Sequence, residues 1–207
     1  MNLFIFGNPM SGSFSGQQQI NHIVEVCTEK GIPFKLFQTQ KAGELPELMD
    51  KHLQQRNQHT IVVIVGGDGT LNEALQYLKQ QNIFVPLSYL PAGTGNDFSR
   101  EMNLTHHARK FIENLSKNHI IDLEFLTYSE ENSQTTGIIL NSMGFGIDAA
   151  ICEINQKQRQ ALLQAKGIKK ASYLTPIIKA FKERKEFDAL ITLNDGESFT
   201  STKNLLL

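Results

Sequence analysis

Along the first half of the chain, short runs free of polar residues alternate with longer stretches whose apolar positions recur at helical spacing. Leu3 to Phe6, Phe34 to Phe37, Ile61 to Val65 and Phe84 to Leu90 predict strands. The run Ile61-Val62-Val63-Ile64-Val65 shows no polar alternation, which predicts a central strand buried on both faces. Ile20, Ile23, Val24 and Cys27 ahead of Gly31 predict one helix, and Leu71, Ala74, Leu75 and Leu78 predict another. Strands and helices in this alternation predict an α/β domain over residues 1–120, a doubly wound parallel sheet.

The pattern then changes. Ile120 to Tyr128 and Thr136 to Met143 predict strands joined by the polar turn Ser129 to Gln134, and Phe187 to Leu193 with Phe199 to Leu207 predict a hairpin around Asn194-Asp195-Gly196. Consecutive strands with short turns predict a second, mainly antiparallel β domain over 121–207. Inside it lies a helical, basic stretch, Glu153 to Lys185, interrupted by Gly167 and Pro176.

Charge narrows the function classes. Twenty Lys plus Arg against twenty-one Asp plus Glu argue against a nucleic-acid partner, which calls for a basic excess. Cys27 and Cys152 match no metal or redox spacing, and a reducing, cytoplasmic setting fits them. Cys27 falls on the apolar stripe of a helix and reads as core, and the pair His106 and His107 reads as solvated. Leu3 to Phe6 is too short for a signal-peptide core and no stretch approaches the length of a bilayer span, so any membrane contact is expected to be peripheral.

Chemistry concentrates in three turns. Gly66-Gly67-Asp68-Gly69-Thr70-Leu71-Asn72-Glu73 joins the buried strand to a helix, where glycines let backbone amides approach a phosphate. Thr70 and Glu73 stand at capping-box spacing. The plainer reading of this octapeptide is a glycine-rich turn with a helix cap. A second turn, Leu90-Pro91-Ala92-Gly93-Thr94-Gly95-Asn96-Asp97-Phe98-Ser99-Arg100, adds donors, an acid and a base. A third, Gly7-Asn8-Pro9-Met10-Ser11-Gly12, follows the first strand. Turns after parallel strands open on one sheet edge, so the three predict a single phosphate-handling cleft.

These turns, in this order and at these separations, resemble the catalytic domain of the diacylglycerol kinase and sphingosine kinase superfamily, above all the bacterial soluble diacylglycerol kinases. The resemblance continues through Ile121-Asp122 and Asn141-Ser142-Met143-Gly144-Phe145-Gly146-Ile147-Asp148. Gly-Gly-Asp-Gly-Thr alone is also similar to NAD kinases and has a relative in phosphofructokinases. The resemblance implies nucleotide contacts by Asn8, Pro9, Met10, Ser11 and Gly12, by Thr39, by Gly67, Asp68, Gly69, Thr70, Leu71, Asn72 and Glu73, and by Thr94. It implies catalytic roles for Asp68, Asp97, Arg100 and Asp122, with Asp68 and Asp122 in an Mg2+ network completed through water. The implied cofactors are ATP and Mg2+. The implied reaction moves the terminal phosphate of ATP to diacylglycerol or a similar lipid alcohol, giving phosphatidic acid, a step of phospholipid biosynthesis. Three acids beside a polyphosphate would repel it without a metal, so the implied ion has a physical reason.

Two departures stand against the family pattern. Ser13-Phe14-Ser15-Gly16 follows Gly12 where many members carry a lysine. The family's second domain also runs on past the point matching Leu207, to further metal-binding acids and a glutamate general base. The alternatives are therefore an NAD kinase-like enzyme, whose Asn-Asn-Glu motif is absent here, and a nucleotide- or lipid-binding module without catalysis. Lys157, Arg159, Lys166, Lys169, Lys170, Lys179, Lys182, Arg184 and Lys185 face the single acid Glu183 between 157 and 185. They predict peripheral contact with an anionic inner membrane face, the plainer reading being a solvated helix face. Lys166 stands near a lysine that the family uses at its lipid site, and Phe98 reads as cleft lining or as the anchor of its turn. A homodimer is compatible with the sequence.

Overall fold

The structure is a computed structural model, and it describes residues 1–117, 120–164, 174–183, 186–192 and 196–204. It comprises two compact units, Met1–Asn141 and Ser142–Leu207. The domain boundary expected at 120/121 thus falls inside the first unit.

The first unit carries a parallel sheet in the order β2-β1-β3-β4, formed by β1 (Asn2–Gly7), β2 (Phe34–Gln38), β3 (Thr60–Gly66) and β4 (Leu87–Pro91). Alternate side chains enter opposite layers. Leu3, Ile5, Val63, Val65 and Leu90 meet Ile20, Ile23 and Cys27 of α1 (Ser15–Glu29) and Phe111 and Ile112 of α5 (Ala108–Leu115). Phe4, Phe6, Val62, Ile64 and Tyr89 meet Leu45, Met49 and Leu53 of α2 (Leu45–Leu53) and Leu71, Ala74 and Leu78 of α3 (Asp68–Gln80). The uninterrupted apolar run of β3 is thereby explained, since both of its faces are buried. Burial also holds the Cys27 thiol up at about 11, a core cysteine with no reactive thiolate.

The chain leaves β1 toward β2 and then returns to β3 on the opposite side of β1. Such a reversal opens a crevice between the carboxyl ends of β1 and β3, where α/β sheets take ligands. Arg109 and Glu29 (2.7 Å), with Lys30 and Glu113 (3.6 Å), fasten α5 to α1 at the surface.

A hairpin completes this unit: β5 (Leu126–Glu130) pairs antiparallel with β6 (Thr135–Ile139). Gln76 of α3 ties it to the sheet domain, donating to the Ile138 carbonyl at 2.7 Å and accepting from the Ile138 amide at 2.9 Å.

Three strand boundaries differ from expectation. The predicted strand from Phe84 starts only at Leu87, because Pro86 has no amide to donate; Phe84 is 89% exposed. Residues 120–125 precede β5 instead of joining it, since the turn ending at Gln134 (φ 55°) aligns only 126–130 with 135–139. On the other strand, β6 ends at Ile139 and not at Met143, and Leu140 packs against the α2–α3 layer.

The second unit holds α6 (Ile147–Gln164), α7 (Leu174–Lys182) and an antiparallel pair, β7 (Phe187–Thr192) with β8 (Ser198–Asn204). Pro176 lies in the first turn of α7, where its missing amide costs nothing, so it does not interrupt that helix. Gly167, the turn residues Asn194 and Asp195, and Lys166, Lys169, Lys170, Arg184 and Lys185 lie outside the described residues.

Candidate functional site

The three glycine turns meet at the carboxyl end of the sheet, and their backbones touch. Asn8, just past β1, donates its amide to the Val65 carbonyl (2.8 Å) and its side-chain NH2 to Thr70 Oγ1 (3.1 Å), which ties the first turn to the start of α3. The Ala92 amide donates to the Gly66 carbonyl (2.6 Å), and the Ser15 hydroxyl reaches over to the Ala92 carbonyl (2.7 Å). The turns after β1 and β4 are therefore joined across the end of β3.

Glycine is required at these contacts. Gly12 has φ +55°, and a Cβ there would lie 2.5 Å from the Ala92 oxygen; a Cβ on Gly93 would lie 2.6 Å from the Cα of Gly67. A Cβ on Gly69, by contrast, would meet nothing within 4 Å. The pad formed by these turns is closed where they touch each other and open at the tip of α3.

That tip carries the donors. The first intrahelical bond runs from the Leu71 amide to the Gly67 carbonyl (3.1 Å), so the amides of Asp68, Gly69 and Thr70 precede it, and no side chain caps them. Amides in this position, at the positive end of the helix dipole, bind anions. The capping box expected from Thr70 and Glu73 does not form, because α3 begins at Asp68 with Gly67 as its N-cap, which leaves Thr70 inside the helix with its Oγ1 accepting from Asn8. Leu71 is buried in the core and its amide is consumed within the helix, so it supports the site from below.

Glu73 points elsewhere, accepting the Gly43 amide from the loop between β2 and α2. Half-burial raises its carboxyl above the ordinary carboxylate value, opposed by that amide. A raised folded-state value means that folding takes up a proton. The stabilising contribution is then complete below the ordinary value and is lost as pH rises through the raised one. Glu73→Gln should melt above the unmodified protein at pH 7, with the gap closing toward pH 4 in thermal unfolding. A gap independent of pH would contradict this.

Asp68 holds two turns together. Its Oδ2 accepts the Asp97 amide (3.0 Å) and its Oδ1 the Phe98 amide (3.2 Å), capping α4 (Asp97–Glu101) from outside. Asn96, at φ 54°, sets up this approach by bonding both ways with Gly93, accepting at 2.8 Å and donating at 2.9 Å. Arg100 forms an ion pair with Asp97 at the surface. Below them Tyr89 donates to the Gly66 carbonyl (3.1 Å); burial, and then the Asp68 charge, push its phenol far up, so it stays neutral.

Thr39 is buried at the end of β2 with its amide on the Gly7 carbonyl (3.0 Å), whereas Met10 and Thr94 are exposed. The remaining predicted contacts, Pro9, Ser11 and Asn72, are partly buried; Ser11 donates to the Asn8 carbonyl and Asn72 accepts from Gln76. The structure brings Asp68, Asp97 and Arg100 together. Asp122 is exposed, and among the described residues no group of three or more His, Cys, Asp or Glu is gathered as a metal cage.

Beside α4 lies an open cleft of about 490 Å3, lined by Asp97, Phe98, Glu101, Met102, the segment Leu123–Leu126, and Ile139 to Asn141. Phe98 fills both roles read from the sequence, lining this cleft and packing edge-on to Tyr89 with ring centroids 6.2 Å apart. Most of the lining is apolar, and Asp97 stands on its border with the glycine turns. The sequence anticipated this cleft only through Phe98 and carried no sign of its other walls, nor of the clasps Ser15, Gln76 and Asn96.

The family model described as Diacylglycerol kinase catalytic domain matches residues 2–128. A candidate lipid kinase of Staphylococcus haemolyticus is 29% identical over 147 residues, 71% of this chain and 44% of that protein. A diacylglycerol kinase of Staphylococcus carnosus is 26% identical over 120 residues, 58% of this chain and 39% of its own. A crystal structure of a diacylglycerol kinase from Bacillus anthracis superposes with TM-score 0.61 at 21% identity, covering 99% of this chain and 62% of that one. The chain thus spans less than two thirds of the length of these relatives.

Proposed function

Because the chain belongs to the diacylglycerol kinase catalytic domain family, we propose that it transfers the terminal phosphate of ATP to the hydroxyl of diacylglycerol or a similar lipid alcohol. The observation that carries this reading is the adjacency of two unlike surfaces: a glycine pad with amides suited to phosphates, and an apolar cleft suited to acyl chains, with Asp97 between them. Phosphoryl transfer asks mainly for positioning and charge neutralisation, and such an arrangement supplies the first.

In this reading Asn8 to Gly12, Gly67 to Thr70 and Thr94 seat the nucleotide. Arg100 turns from Asp97 to the phosphates and brings the cation that the first turn lacks, since the stretch after Gly12 supplies a hydroxyl clasp and no charge. Asp68 and Asp122 hold Mg2+ through water. The donors fit that role in kind: each Asp68 oxygen accepts one amide and keeps a lone pair. The ion would offset the charge of the phosphates.

The exposed face of α7 supports membrane contact at an anionic inner surface. Ile178 and Phe181 are about half exposed, and Lys179 and Lys182 lie beside them on the same helix. No helix among the described residues is long and apolar enough to cross a bilayer.

The test is direct. The chain incubated with ATP, Mg2+ and dioctanoylglycerol should form the corresponding phosphatidic acid. Tight nucleotide binding without transfer to any glyceride or sphingoid alcohol would point instead to a binding module.

A further inference from the structure

We propose that Glu101 and Glu124 set the head-group charge admitted by the cleft, excluding lipids whose head group is anionic. This rests on reading the cleft as the acceptor site. Asp97 and Glu101 stand one helical turn apart on α4, on the same face, and both line the cleft, with Glu124 on the segment leading to β5. Among the described residues, no Lys or Arg belongs to the lining. Arg100, the cation of α4, is engaged by Asp97, and among the described residues neither Glu101 nor Glu124 forms an ion pair.

The rim therefore carries uncompensated negative charge around an apolar floor. An uncharged glyceride meets only the floor and hydrogen-bonding oxygens. A lipid with a head-group phosphate brings a like charge into the same cleft, where repulsion is stronger than in bulk water because the walls are apolar. Discrimination of this kind works by repelling the wrong ligand and needs no added contact to the right one.

The experiment compares dioctanoylglycerol with dioctanoylphosphatidylglycerol, both below the concentration at which they aggregate, so that no charged surface intervenes. Their affinities for the whole chain are read by titration calorimetry. The unmodified chain should bind the uncharged lipid about tenfold tighter. In the Glu101→Gln/Glu124→Gln double variant the ratio should fall to about threefold or less. Raising salt to about 0.5 M on the unmodified chain should narrow it as well, which keeps the test independent of how the variant folds. Equal affinities at low salt, a ratio indifferent to both the variant and salt, or binding of neither lipid would overturn the inference. Equal affinities would leave the kinase reading standing, whereas discrimination without phosphate transfer would sink the kinase reading alone.

Discussion

Gly12→Ala should abolish nucleotide binding and lower the melting temperature by roughly 5–15 °C. The residue sits at φ +55°, where an L side chain costs about 1–2 kcal/mol, and its Cβ would press on the Ala92 oxygen and the Ser15 hydroxyl. Forced overlap in a packed site adds about 1–3 kcal/mol. For a chain of this size about 1 kcal/mol corresponds to roughly 2–4 °C. The informative partner is Gly69→Ala. Its Cβ stands in open space in the first turn of α3, so the fold should melt at or slightly above the unmodified protein while Mg-ATP ceases to raise the melting temperature. Thermal unfolding of both variants with and without nucleotide separates the two effects. A Gly69→Ala protein still stabilised by Mg-ATP would place the phosphates elsewhere.

Asp68→Ala should reduce phosphate transfer by about a thousandfold or more, the order of loss seen when a key electrostatic group is removed. It should also cost about 1–2 kcal/mol of stability, because the carboxylate caps α4 through the Asp97 and Phe98 amides. Asp68→Asn divides these roles. Its amide oxygen still accepts one of the two hydrogens, so most of the stability should return, but the negative charge does not. Melting close to the unmodified protein with transfer still lost would assign the charge to the reaction. Recovery of turnover in Asp68→Asn would make Asp68 a structural clasp only.

The sheet and its edge could be read from sequence because both rest on local signals. The unbroken apolar run of Ile61 to Val65 permits only a strand covered on both faces, and turns after parallel strands share an edge whatever else the chain does. The clasps left no such signal. Gln76 meets Ile138 across 62 residues and Ser15 meets Ala92 across 77, and nothing in either neighbourhood announces the pairing. Thr70 shows the reverse failure: its spacing to Glu73 fits a capping box, but the helix starts earlier, with Gly67 as N-cap, and Thr70 inside it takes a tertiary partner, Asn8. Strand limits from 120 onward escape the sequence for a related reason. Apolar composition predicted extension through Ile120 and Ile121, whereas the turn geometry at Gln134 decides which residues find partners.

In the proposed site the three glycine turns together form one pad for the phosphates of a nucleotide. Amide NMR spectra of the chain titrated with Mg-ATP test it most directly. Shift changes should concentrate at Gly12, at Gly67 to Thr70 and at Gly93 to Gly95, saturating together with one dissociation constant. Changes confined to a single turn, or centred away from the carboxyl end of the sheet, would contradict it.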